Sequence, residues 1–86
     1  MQIYWHKNFR KQYNKLDTNK KHLVEKALST FIENPNATQL RNHALKGNYK
    51  DCRSIDAAFD LRIIFYQEKN YFIVTLLKIG THSQLY

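Results

Sequence analysis

Leu61-Arg62-Ile63-Ile64-Phe65-Tyr66, then Gln67-Glu68-Lys69-Asn70, then Tyr71-Phe72-Ile73-Val74-Thr75-Leu76-Leu77-Lys78-Ile79: this stretch decides the fold. β-branched and aromatic residues fill the two outer runs and four polar residues separate them, the pattern of two strands around a turn. A connection this short cannot hold a crossover, so the pair must run antiparallel. The last run lacks clean alternation, which suits a central strand covered on much of both faces. Just upstream, Asp51 to Asp56 forms a third β-rich segment, separated from Leu61 by the predicted turn Ala57-Ala58-Phe59-Asp60. All three are expected in one antiparallel sheet.

Further toward the N-terminus the period changes from two to that of a helix. Leu23, Val24, Ala27, Leu28, Phe31 and Ile32 form one continuous apolar stripe, with Asp17 or Thr18 as its N-cap. Asn34-Pro35 ends it, because the residue before proline is pushed out of the α region. Phe9, Tyr13 and Leu16 recur at helical spacing among lysines and predict a shorter basic helix, about residues 7–15. Met1 to Trp5 reads as an opening strand. Residues 36–50 turn polar and read as a connecting loop carrying His43 and Leu45. The expected fold is α+β, an N-terminal helical hairpin joined at Leu16-Asp17 and packed on one face of an antiparallel sheet. At 86 residues the chain can build one core, so residues 1–86 form a single domain.

Fourteen Lys and Arg against seven Asp and Glu give a net charge of +7, and the whole excess lies in residues 1–50. Such a charge fits a phosphate-bearing partner and fits an acidic protein partner equally well. Cys52 is the only cysteine, which excludes an internal disulfide or a Cys-rich zinc site and fits a reducing cytoplasm. Its expected role is that of a small packing residue. The longest apolar run is far short of the roughly 20 residues that span a bilayer, and the N-terminus lacks a signal-peptide core.

The chain has no Walker loop, HExxH, GxSxG or metal cluster, so any chemistry must run on His, Asp, Arg and Lys without a cofactor. His82 follows the last strand, where functional side chains often project, although an exposed tail histidine needs no function. His43 and Asp60 carry the same two readings, loop residue or site residue. Arg53 is an unusual strand residue that can hold a phosphate with its planar fork or pair with Asp51, Asp56 or Asp60. Tyr86 lies close to His82 in sequence and can stack on a nucleobase. Metal-free RNA cleavage needs only these groups, since the 2′-hydroxyl is an internal nucleophile served by a base, a cation and an acid.

Four ordered blocks carry a resemblance: His43 to Lys50, Arg53-Ser54-Ile55, Asp60 to Tyr66, and Gly80-Thr81-His82-Ser83-Gln84-Leu85-Tyr86. Across about residues 40–86 they resemble the RelE/ParE superfamily of toxins, in particular its YafQ-like branch of type II toxin-antitoxin systems. The resemblance implies an mRNA interferase acting in the ribosomal A site and held silent by an acidic or mixed-charge antitoxin, in a complex that is a candidate to bind its own promoter DNA. It implies His82 and His43 as the acid and base pair in either order, Arg53 on the scissile phosphate, Asp60 orienting a histidine, Tyr86 on the mRNA base, and Lys46 and Lys50 steering phosphate. The sequence departs from that pattern at Asp56, where a second strand histidine stands in the branch, and at Leu61, where a tryptophan stands. Asp56 is thus a base, an orienter or a structural residue. A basic module that binds RNA or ribosomes without cutting, and an interaction protein that docks an acidic partner, are the competing classes.

Overall fold

The computed structural model describes all 86 residues. Gln2–Trp5 forms strand β1, Lys7–Asn14 helix α1 and Thr18–Glu33 helix α2. Asp17 starts α2 by accepting the Lys20 amide hydrogen at 2.8 Å, and Asn34 ends it in an extended conformation. The buried stripe of α2 is Val24, Ala27, Leu28 and Phe31; Ile32, expected to share it, is exposed, because the helix turns that position away from the sheet.

After α2 the chain forms a 3₁₀ turn at Thr38–Leu40, a two-residue strand β2 at His43–Ala44 and a second 3₁₀ turn at Gly47–Tyr49. The segment expected as a loop is therefore ordered and contributes a strand. Three longer strands follow, β3 at Arg53–Ala58, β4 at Leu61–Glu68 and β5 at Ile73–Gly80, and the chain closes on a short helix α3 at His82–Leu85. The turn between β3 and β4 is tighter than expected: Ala57 and Ala58 stay in the strand, and Phe59-Asp60 turn, with Asp60 in the left-handed region at φ 51°.

The sheet order is β1-β5-β4-β3-β2. The pairs β2–β3, β3–β4 and β4–β5 are antiparallel as the short connections require, whereas β1 runs parallel to β5 and makes the sheet mixed. Both helices lie between β1 and β5 in sequence, long enough to return the chain beside the last strand in the same direction. The expected N-terminal helical hairpin on an all-antiparallel sheet is corrected accordingly. The opening strand expected at Met1 to Trp5 is present as β1, but the helices after it pack on different strands, α1 chiefly on β5 and α2 on β3. They are tied to each other by Tyr13, whose hydroxyl donates to Glu25 at 2.5 Å.

The main core joins Phe9 of α1 and the α2 stripe to Leu40, Ile55, Leu61, Ile63, Phe65, Val74, Leu76 and Ile79. At roughly 25 cal/mol per Å², burial of side chains this size is the dominant favourable term of the fold. Two further buried hydrophobic side chains, Ile64 and Leu85, lie outside this cluster. Ile64 points to the other face of the sheet, which the C-terminal helix partly covers.

Candidate active site

Directly paired residues in an antiparallel sheet project from the same face. The register therefore sorts the candidates. His43 pairs with Ser54, Ser54 with Ile64 and Ile64 with Lys78, so these four share the face opposite α1 and α2. The next row on that face is Asp56, Arg62 and Gly80. Arg53 belongs to the intervening row, opposite Phe65, and so faces the helix side.

A continuous set of contacts crosses the open face from one histidine to the other. His43 Nδ1 lies 2.8 Å from the backbone oxygen of Arg41. The Arg41 side chain returns to the sheet, its Nε donating to Asp56 Oδ2 at 2.6 Å. The other Asp56 oxygen lies 3.6 Å from Arg62 Nε. Arg62 Nη1 lies 2.7 Å from His82 Nδ1, and Asp60 Oδ1 accepts the backbone N–H of His82 at 3.0 Å.

Local sequence explains why His82 stands there. Thr81 and Gln84 form a capping box, with the Thr81 hydroxyl receiving the Gln84 amide hydrogen and the Gln84 side chain receiving that of Thr81. That closes the tail into one helical turn and swings the histidine back over β4. Asp60, placed by the left-handed turn, holds the same turn from across the sheet.

The two ring hydrogens can be placed from partners alone. A carbonyl only accepts, so His43 carries its hydrogen on Nδ1 and leaves Nε2 as a lone pair. A guanidinium only donates, so His82 Nδ1 is the acceptor and Nε2 carries the hydrogen. The neutral histidines thus present opposite characters to whatever lies between them, one acceptor and one donor.

Around His82 lie aromatic rings. Tyr86 sits 4.8 Å from the His82 ring and meets Tyr49 edge-on at 5.7 Å. Tyr49 anchors on the Leu85 carbonyl at 2.9 Å and lies beneath the Lys78 ammonium. Lys46 and Lys50 flank the 3₁₀ turn that carries Tyr49, and both are exposed. Beside the set, a groove of about 740 Å³ opens between α2 and the outer edge of β3, with Arg41, Asp56, Asp60 and Arg62 in its wall.

Of the candidates read from the sequence, the structure brings together Asp60, His82 and Tyr86, with Asp56 linked to His82 through Arg62, and ties His43 to them only through the backbone of Arg41. It does not bring Arg53, whose Nε donates to Asn42 Oδ1 at 2.8 Å, and Asn42 in turn bonds the Tyr71 hydroxyl and the Pro35 carbonyl on the helix side. Arg53 ties the end of α2 to β3. Arg41, Arg62 and Tyr49 were not singled out by sequence. Arg62 carried a usable signal, a guanidinium interrupting the buried run Leu61, Ile63, Ile64; Arg41 carried none. Leu61, at the position of the expected tryptophan, is core. Burial, and then the Asp51 carboxylate, push the Cys52 thiol up from its usual range.

A helical layer on one face of such a sheet is a fold shared with solved toxins. A YoeB/ParE toxin from Agrobacterium tumefaciens superposes with a TM-score of 0.78 at 14% identity, over 95% of this chain and 99% of that one. The family model described as YafQ, bacterial toxin of a type II toxin-antitoxin system, matches residues 1–86, and the chain belongs to that family. A metal-bound toxin from Helicobacter pylori is similar at 30% identity and a TM-score of 0.70, covering 100% of this chain and 99% of its own. The E. coli DinJ–YafQ complex matches at 22% identity and a TM-score of 0.69, over 98% and 96% of the two chains. No curated protein matches the chain in sequence. No helix is long and apolar enough to cross a membrane.

Proposed function

We propose that this toxin is a ribosome-dependent endoribonuclease that cuts mRNA in the A site by metal-free acid–base chemistry. The observation that carries the reading is the chain of contacts joining two histidines of opposite hydrogen placement across one open face. His43 Nε2 takes the proton of the ribose 2′-hydroxyl. The freed oxygen attacks the adjacent phosphorus, forming a 2′,3′-cyclic phosphate as the bond from phosphorus to the 5′-oxygen breaks. His82 Nε2–H donates a hydrogen bond to that leaving oxygen as charge builds on it; the oxygen takes its proton from solvent water, to which His43 later returns the one it took.

Arg41 takes the phosphate role that its position denies to Arg53. Its Nε is held by Asp56 while its two terminal nitrogens make no protein hydrogen bond, a fork open to phosphate oxygens. Asp60 acts on the backbone of His82 and fixes its place. Tyr86, with Tyr49 behind it, stacks on a base of the codon, and Lys46, Lys50 and Lys78 add phosphate contacts. By analogy with the DinJ–YafQ pair, an acidic or mixed-charge antitoxin keeps the toxin silent, and the site operates in the cytoplasm where ribosomes are.

Inducing the toxin alone should arrest growth and truncate translated transcripts at codon positions, and His82→Ala should abolish both. Primer extension on translated mRNA decides. Stalled translation with intact transcripts would replace cleavage by a non-cutting block of the ribosome.

A further inference from the structure

Arg62 has no assigned part in the reading above, yet it touches the His82 ring more closely than any other side chain does. We infer that Arg62 is the positioning residue for His82, and that Asp56 serves the site by anchoring Arg62 and Arg41.

The argument begins with the strand. Arg62 stands between Leu61 and Ile63, both in the main core, and alternation turns its side chain to the opposite face. There it is half-buried, and it meets charge on one side and a ring on the other. Its Nε lies 3.6 Å from Asp56 Oδ1, and its Nη1 lies 2.7 Å from His82 Nδ1. The guanidinium has five donors and no acceptor, so this short contact has one possible sense. It fixes the Nε2–H form of the ring, sets the ring plane, and polarises the imidazole so that Nε2–H is a better donor than in an unbonded ring.

Asp56 explains why Arg62 stays in place. The carboxylate side chain is only 16% exposed, Oδ2 is taken by Arg41, and Oδ1 is buried with no hydrogen-bond partner and with Arg62 as its nearest cation. A carboxylate clamped between two guanidinium groups is poorly placed to take a substrate proton. It is well placed to hold both cations at set positions, and the pairing resolves the three roles open to it from sequence in favour of the orienter. The other charged group at His82 is Asp60, which is bound to the backbone rather than the ring. Nothing else fixes the ring except the Tyr86 face.

The catalytic consequence rests on the nuclease reading; the ring geometry does not, and the test separates them. In purified protein labelled with ¹⁵N, the two ring nitrogens of His82 are read by two-bond correlation. Wild type should show Nδ1 unprotonated and displaced by its bond from Arg62, with the hydrogen on Nε2. Arg62→Met keeps the stem and removes the donors, and should move the Nδ1 signal to that of an unbonded ring. Arg62→Lys restores a donor-only cation and should return the signal part of the way. Asp56→Asn should move it in the same direction as Arg62→Met. In cleavage assays Arg62→Met should lose roughly 10- to 100-fold, a part of what a positioned hydrogen-bond donor at the leaving oxygen contributes, with Arg62→Lys recovering most of it. A protonated Nδ1 in wild type, or an Nδ1 signal unmoved in a folded Arg62→Met protein, would overturn the inference. Absence of cleavage by wild type with the predicted nitrogen signals would instead sink the nuclease reading and leave the Arg62 to His82 bond standing.

Discussion

The proposed reading gives Arg41 the phosphate role expected of Arg53, and the activity per folded molecule of their variants should tell the two apart. Arg53→Ala leaves Asn42 Oδ1 without its donor in a half-buried corner, so it should cost about 1–3 kcal/mol in denaturant unfolding. Cleavage per folded molecule should be kept. Arg41→Ala takes from the largely buried Asp56 carboxylate its only hydrogen-bond donor, so it too should cost about 1–3 kcal/mol, but unlike Arg53→Ala it should suppress cleavage per folded molecule. A stable but inactive Arg53→Ala protein would return that residue to the site. Tyr13 gives a pH-dependent counterpart. Its hydrogen bond to Glu25, then desolvation and the Glu25 charge, raise its pKa above the usual 10.0. The folded state therefore holds the phenolic proton longer than the unfolded chain does. The stabilisation is complete below about pH 10 and is lost as pH rises through the folded value. Thermal unfolding of wild type and Tyr13→Phe between pH 8 and 11 should show a gap that narrows with rising pH; a gap independent of pH would show that the bond to Glu25 is not the cause.

Elements with a long periodic pattern were legible in the sequence, and those built from a few residues were not. α2 and its stop at Asn34 read correctly, with Asp17 as one of two expected caps and Ile32 the one stripe residue that turned out exposed, because sixteen residues repeat one period. β3, β4 and β5 read correctly because their connections are too short for anything but hairpins. β2 has two residues and α3 has four, too few for any period, and their existence depends on partners supplied by tertiary contact. The parallel placement of β1 was hidden for the same reason, since nothing in four residues specifies which sheet edge they join. The site divides along the same line. His43, Asp60 and His82 were visible as residue types, whereas the Arg41 and Arg62 links required the register. The tail shows how a small element controls the site. A Cβ on Gly80 would stand 2.8 Å from Gln84 Oε1, the atom that closes the capping box. Gly80→Ala should displace Gln84, open the turn and release His82 from Asp60 and Arg62. We expect cleavage to fall by an order of magnitude or more while the main core, measured by its unfolding midpoint, changes little. Full activity in Gly80→Ala would mean that the capping box does not set the position of His82.

At the scale of the whole molecule, the net charge of +7 is spread over two surfaces that must be distinguished. Lys7, Lys11 and Lys15 lie on or beside α1, in the helical layer, and all are exposed. Lys46 and Lys50 flank the turn that carries Tyr49, which its bond to the Leu85 carbonyl ties to the C-terminal helix of His82. Total charge sets long-range attraction to any polyanion, but only residues that contact phosphate release counterions on binding. The dependence of affinity on salt therefore tells the two surfaces apart, where affinity at a single salt concentration does not. For single-stranded RNA each neutralised phosphate adds about 0.7 to the slope of log affinity against log salt concentration. Lys46→Gln with Lys50→Gln should flatten the slope by about 1.4 if both residues contact the strand. Lys11→Gln with Lys15→Gln removes the same charge from the helical layer; it should weaken binding slightly at low salt and leave the slope unchanged. Equal slopes for the two double variants would mean that the lysines beside Tyr49 attract RNA only at a distance and that the strand does not follow the proposed path from Lys46 to His82.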